Sequence, residues 1–160
     1  LRLRDGQVTE ARIEPPSPAR KGRVALGEEH RVGVVDPLSG VLMAVAHVAE
    51  TSTPDACARV IPVFDGRMRY DLHFTYKRME TVRTPRGYHG PAVVCGVRFV
   101  PIAGHVPERA TIRYLMGLDS IEAWLAPVGG LRLVVPWRVV VPTPFGTAKM
   151  EAERFEVGLE

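Results

Sequence analysis

The sequence has no apolar run that could cross a membrane, and it has very little cysteine. A transmembrane helix needs about 20 consecutive apolar residues, and charged residues or prolines interrupt every apolar stretch well before that length. Hydrophobic residues make up 46% and charged residues 24% of the 160 residues, proportions that are ordinary for a globular protein and argue against a disordered chain. We expect one domain over residues 1–160.

Motifs for common enzyme and metal chemistries are also missing. No G-x-S-x-G, H-E-x-x-H or C-x-x-C pattern occurs, and no cysteine–histidine pair has zinc spacing. The net charge of +3 is mild and the basic residues are spread along the chain, whereas nucleic-acid binding needs a clustered basic face. We therefore expect no catalytic residue, no metal, no cofactor and no nucleic-acid partner.

The two cysteines, Cys57 and Cys95, lie near the two ends of a strand-rich stretch. They are either two buried thiols or one disulfide. We favour the disulfide, because an even number of cysteines on neighbouring strands is what an oxidising compartment permits. The loop-entropy model assigns about 4 kcal/mol to a cross-link that closes a loop of roughly 38 residues.

The stretch between the cysteines predicts a long antiparallel strand. Apolar and polar residues alternate through most of residues 67–79, the pattern of a strand with one buried face. Such a strand would span roughly 40 Å, which does not fit flat in a compact chain of this size. The predicted fold is therefore mainly β: a single highly coiled antiparallel sheet, in the form of a β-barrel, half-barrel or spiral.

One α-helix, from Pro37 to Ala49, is predicted to pack against this sheet. Asp36 is a favoured N-cap, proline is tolerated at the first helical position, and apolar residues follow at helical spacing. At most one further short helix is expected, within residues 107–118. The later strands are predicted at 120–127, 131–142 and 147–157, with a turn at 143–146 and a β-bulge near Glu153.

Four stretches of the chain carry a family resemblance. They are VVDPLSG at 34–40, VFDGRMRYDL at 63–72, GPAVVCGVRFVPIAGH at 90–105 and PTPFGTA at 142–148. With these stretches in this order, the chain resembles an exported Gram-negative family called domain of unknown function 3108. The resemblance implies a periplasmic location and no particular chemistry. Since the first residue is Leu1 and no leader precedes it, we expect a trimmed chain or a removed signal peptide.

The first candidate function is a non-catalytic periplasmic cell-envelope protein that binds an apolar or amphipathic molecule, such as lipid, in its curved sheet. Six aromatic residues are the candidate lining: Tyr70, Phe74, Tyr76, Phe99, Trp124 and Trp137. The alternative is that these rings only fill the core.

A second set of candidate residues is polar and consists of Asp36, Arg67, Arg69, Asp71, Arg98 and His105. For the charged residues around Asp71 we favour a structural ion pair across neighbouring strands. The alternative is that Arg98 is a buried cation that needs an anionic ligand.

Two further functions stay open. One is a structural or interaction module of the envelope that docks a partner protein or peptidoglycan, near residues 15–22 or the turn at 86–89. The other is a hydrolase, which requires an accessible cleft that holds two of four groups within hydrogen-bond reach. These groups are Asp36, Asp71, His73 and His105.

Overall fold

The fold is mainly β, as predicted. A computed structural model describes residues 1–12, 14, 21–41, 43–44, 53–83, 88–128 and 132–153. The strands in these residues are β1 (Arg2–Arg4), β2 (Gln7–Glu10), β3 (Met43–Ala44), β4 (Arg59–Phe64), β5 (Arg69–Arg83), β6 (His89–Ala103), β7 (Ile121–Pro127), β8 (Leu133–Thr143) and β9 (Gly146–Glu151). One α-helix, α1 (Ala110–Met116), and three 3-10 turns, Glu28–Arg31, Ser39–Val41 and Pro54–Cys57, complete these elements.

Seven of the strands form one sheet. Their order is β3-β8-β7-β6-β5-β4, β9 also pairs with β8, and β1 and β2 form a separate ribbon. The pairs β3–β8, β6–β7, β7–β8 and β8–β9 are antiparallel. Within the described residues the two ends of this order, β3 and β4, do not pair, so the closed-barrel form of the prediction is wrong. A coiled half-barrel or spiral stays a prediction.

The helix predicted from Pro37 to Ala49 is wrong in its first half. Residues 39–41 form a single 3-10 turn, and Met43–Ala44 is strand β3, paired with β8; residues 42 and 45–49 lie outside the described residues. The first turn forms because Asp36 caps it, but Gly40 disfavours helix propagation and pairing with β8 provides an alternative. The short helix expected within residues 107–118 is confirmed as α1.

The chain divides into two compact units. Unit 1 contains Leu1–Gly40, Val60–His73 and Arg98–Leu118, and unit 2 contains Val41–Arg59, Phe74–Val97 and Asp119–Glu160. One core cluster of unit 1 has Val8, Val34 and Phe64 at its centre. A core cluster of unit 2 consists of Val82, Ala92, Val94, Trp124, Ala126 and Trp137. The single domain expected from length stays a prediction.

Candidate functional site

The two cysteines form a disulfide, as predicted. Cys57 ends the 3-10 turn at Pro54–Cys57, Cys95 lies in β6, and their Cα atoms are 5.5 Å apart. Both residues belong to unit 2 and are fully buried. The bond joins positions 38 residues apart and ties the chain before β4 to β6.

Two of the polar candidates, Arg69 and Asp71, form an ion pair. Arg69 Nη1 lies 2.6 Å from Asp71 Oδ1, and the side chains are 14% and 20% exposed. Residues two apart in a strand share a face, so the pair runs along β5 and not across two strands, which corrects the prediction. Arg98 is exposed, so the alternative of a buried cation at this position is wrong.

Asp36 and Arg67 take part in local turns. The Asp36 carboxylate accepts hydrogen bonds from the Ser39 hydroxyl and from the N–H groups of Ser39 and Leu38, the last two at 3.0 and 2.9 Å. The bonds from Ser39 are the main reason that the pKa of Asp36 is lowered. The Arg67 N–H donates to Asp65 Oδ1 at 2.7 Å. Both arrangements are Asx-type turn chemistry and do not require a ligand.

His105 is buried and held through its backbone. It is 8% exposed. Its carbonyl oxygen accepts the Val24 N–H at 2.8 Å, and the Gly104 N–H donates to the Val24 carbonyl at 3.0 Å. Gly104 has φ +80°, and a side chain there would clash with the carbonyl oxygen of Arg67. Burial lowers the pKa of His105, which favours the neutral imidazole.

The four groups that a hydrolase would need are not assembled in the described residues. The nearest approach is between Asp71 Oδ2 and His73 Nε2, at 3.9 Å, which is too long for a hydrogen bond. Among all the described residues, no group of three His, Cys, Asp or Glu side chains is placed to hold a metal ion. The described geometry therefore provides no paired acid and base.

The aromatic candidates are divided between the two units. Tyr70 and Phe99 belong to unit 1, where their ring centroids are 5.1 Å apart, and burial raises the pKa of Tyr70 to about 12. The other four belong to unit 2. There Phe74, Trp124 and Trp137 are 6%, 5% and 3% exposed, whereas Tyr76 is 45% exposed. The two tryptophans belong to the core cluster of that unit, which favours the core-filling alternative for them.

Glu122 on β7 is the centre of an ionic network in unit 2. Arg78 Nη1 and Nη2 each donate to one of its carboxylate oxygens at 3.0 Å, and Lys77 Nζ donates at 3.1 Å. Arg78 Nε and Trp124 Nε1 donate to the two oxygens of Glu80 at 2.6 and 2.8 Å. Hydrogen bonds from Arg78 lower the pKa of Glu122, and the bond from Trp124 is the main cause of the lowered pKa of Glu80. The network ties β5 to β7.

A β-bulge in β8 brings Arg138 onto the two tryptophans. Trp124 pairs with Arg138, but the register shifts at the next residue, so that Trp137 has no partner in β7. A bulge turns neighbouring side chains toward one face. The Arg138 guanidinium carbon lies 4.3 Å from the Trp137 ring centroid and 5.4 Å from that of Trp124, within cation–π range. Arg138 Nε also lies 3.2 Å from Glu151 Oε2, which links β8 to β9.

The contacts of Arg138 with the two tryptophans and with Glu151 form the base of the β8–β9 hairpin. From this base the hairpin extends past the end of β7. The last β8 residue paired with β7 is Val140, opposite Glu122, so residues 141–148 have no paired β7 residue among the described residues. We call residues 141–148 the arm. Its turn is Pro144–Phe145, as the sequence predicts, and Phe145 is 100% exposed. The arm is a hairpin with an anchored base and an apolar tip in solvent.

Comparison with known proteins gives a family and no function. A family model described as "Protein of unknown function (DUF3108)" matches residues 2–153. The chain belongs to this family. No curated protein and no solved structure matches significantly. The exported Gram-negative origin of this DUF3108 protein stays a prediction. In the part of the chain that the structure describes, no helix is long and apolar enough to cross a membrane.

Sequence reasoning missed the ionic network around Glu122 and the contacts of Arg138 in this DUF3108 protein. Arg78 and Glu80 contact partners on β7 that are 44 residues away, a separation that local patterns do not reveal. The sequence contained a weak signal for this network. By the alternation along β5, Arg78 and Glu80 lie on the same face as the apolar Val82, and charged side chains on an apolar face need partners. Arg138 follows Trp137 in an otherwise apolar stretch and carries the same signal.

Proposed function

We propose that this DUF3108 protein is a non-catalytic interaction module of the periplasm, and that the tip of its arm binds a partner protein. The observation that supports this most directly is Phe145, which is 100% exposed on a two-residue turn. An aromatic side chain removes about 150–250 Å² of surface from water when it is buried, and such side chains commonly anchor protein interfaces. Partner binding would remove this apolar surface from water.

The anchored base of the arm supports the same proposal. Arg138 contacts both tryptophan rings and Glu151, so these contacts join the base of the hairpin to the core cluster of unit 2. A tip held on a rigid element loses less entropy on binding than one on a flexible loop. Two surfaces were suggested from sequence, at 15–22 and 86–89. Residues 15–20 and 86–87 of these lie outside the described residues, so the arm takes their place in the proposal.

The disulfide supports the periplasmic part of the proposal. A buried disulfide between Cys57 and Cys95 forms and persists in an oxidising compartment, whereas cytosolic thiols are kept reduced. The family resemblance, with its implied export, agrees with this location.

Binding of a lipid or another amphiphile has weaker support. Trp124 and Trp137 are 5% and 3% exposed within a packed core cluster, which is what core-filling rings would show. A hydrolase has the weakest support, because the described residues provide no paired acid and base.

A photo-cross-linking experiment tests the proposed role of Phe145. We expect p-benzoylphenylalanine at position 145, introduced in the native host, to give one reproducible protein adduct. The matched control is the same label at Leu38, an apolar residue that is 82% exposed in unit 1. Phe145→Ser should then weaken binding of the purified partner at least about tenfold, and Leu38→Ser should not. Identical adducts at both positions, or equal affinities of both variants, would contradict the proposal.

A further inference from the structure

The outer side of β9 is an open sheet edge. All six residues of β9 are exposed. Among the described strands, β9 pairs with β8 and no strand pairs with its other side. No proline occurs from Phe145 to Glu153, so every residue of this segment keeps its backbone N–H group. An edge of this kind can accept another strand.

The turn determines which backbone groups of β9 point outward. In a two-residue hairpin loop, the residues that flank the turn, Thr143 and Gly146, form a hydrogen-bonded pair. The alternation of antiparallel pairing then directs the backbone groups of 148 and 150 toward β8 and those of 147, 149 and 151 toward the open edge. The bond from Ala152 N to Trp137 O, at 2.7 Å, fits the same alternation.

Charge selects one way in which this edge can pair with itself. A two-fold axis at Lys149 would place two lysines opposite each other, and an axis at Ala148 would place Lys149 opposite Thr147. An axis at Met150 places Lys149 of each copy opposite Glu151 of the other, in a hydrogen-bonded pair with both side chains on one face. The two Met150 side chains then meet on the other face. Met150 is 57% exposed, so it has apolar surface to bury.

We propose that β9 pairs antiparallel with β9 of a second copy of this chain, with the two-fold axis at Met150. Lysine on an edge strand commonly prevents association, but Glu151 lies two residues away and offers each lysine an opposite charge in this register. Arg138, 3.2 Å from Glu151 Oε2, would join both pairs into a longer ionic network.

This inference goes beyond the proposed function, because it concerns the open edge of β9 and not the tip of the arm. Phe145 lies five residues from the axis, so the two tips would be roughly 33 Å apart, at opposite ends of the paired strands. Both tips stay free in such a dimer, which would present two copies of the partner-binding site.

Charge reversal tests the pairing. We expect sedimentation velocity between about 1 µM and about 500 µM to show a monomer–dimer equilibrium. Lys149→Glu should raise the dimer Kd at least about tenfold, because both cross-strand pairs become repulsive, and Lys149→Glu with Glu151→Lys should bring it back to within about threefold. Phe145→Ser is the control for general apolar association and should leave Kd unchanged.

Cysteine cross-linking tests the register. Met150→Cys should form a disulfide between copies under mild oxidation, because directly opposite residues in a non-hydrogen-bonded pair have Cα atoms about 4.5 Å apart. Ala148→Cys, on the same face, is the control and should not cross-link. Cross-linking through position 148 alone would overturn the proposed register. A monomer at every concentration would overturn the dimer and leave the Phe145 experiment unaffected, and loss of dimer with Phe145→Ser would show that association runs through the tip instead.

Discussion

Burial of His105 has a consequence for stability at mildly acidic pH. Burial lowers the folded pKa of His105 below the usual histidine value of about 6.5, so protonation favours the unfolded chain. The stability that the neutral imidazole provides is complete above about pH 6.5 and is lost as the pH falls through the lower folded pKa. We expect the free energy of unfolding, from urea titrations, to decrease across this window.

A histidine variant assigns that decrease to His105. His105→Gln should flatten the pH dependence of the unfolding free energy, whatever its effect on stability at neutral pH. The exposed His89 is the matched control, and His89→Gln should keep the slope of the unmodified protein. Equal slopes in all three proteins would mean that other groups carry the acid sensitivity.

At the level of elements, the bulge in β8 places Arg138 against Trp124 and Trp137 of the core cluster in unit 2. Arg138→Met keeps the aliphatic stem but removes the cation–π contacts and the ion pair with Glu151, so we expect a loss of about 1–2 kcal/mol in unfolding free energy. The chain has two tryptophans, Trp124 and Trp137, and Arg138 contacts both. Their fluorescence emission should therefore change in the same variant.

Two further variants complete this test. Arg138→Lys keeps the charge but not the planar guanidinium, so its loss of stability should be smaller. Arg98→Met, at an exposed position, should change neither stability nor emission. If Arg138→Met leaves the emission unchanged, the cation–π arrangement does not contribute in solution.

The bulge also shows where sequence patterns stop being informative. A bulge was expected near Glu153 because the apolar phase changes there, but β9 ends at Glu151 and residues 154–157 lie outside the described residues. The bulge in β8, at Trp137, was not expected. In the stretch around Trp137 nearly every residue is apolar, so a shift of one position leaves no mark on the pattern. The turn at Pro144–Phe145 was predictable, since Pro144 is its first residue and Gly146 follows it directly, and both residue types favour turns.

The false helix has a related cause. Asp36 does cap a turn, as the local pattern predicts, but the choice between helix and strand at Met43–Ala44 depends on pairing with β8, about 90 residues away. Local propensity contains no information about that partner.

At the scale of the whole molecule, sequence predicted the strand-rich class and the disulfide but not the ionic network. Two cysteines allow one intramolecular pairing, so Cys57 and Cys95 could be connected without knowledge of the fold. Glu122 has several arginines and lysines available in the sequence, and only the order of β5, β6 and β7 selects Arg78 and Lys77. Exposure of Phe145 likewise depends on where β7 stops pairing with β8.

The disulfide connects the stability of the whole chain to its compartment. A cross-link between positions 38 residues apart restricts the unfolded chain, and removing it should lower the unfolding free energy by about 4 kcal/mol. We expect this loss in Cys57→Ala with Cys95→Ala, measured in urea against the oxidised protein. The reduced protein with native cysteines is the control and should show a comparable loss, which separates the cross-link from the side-chain change. If reduction does not lower the free energy of unfolding, folding does not need an oxidising compartment, and the disulfide no longer supports the periplasmic location.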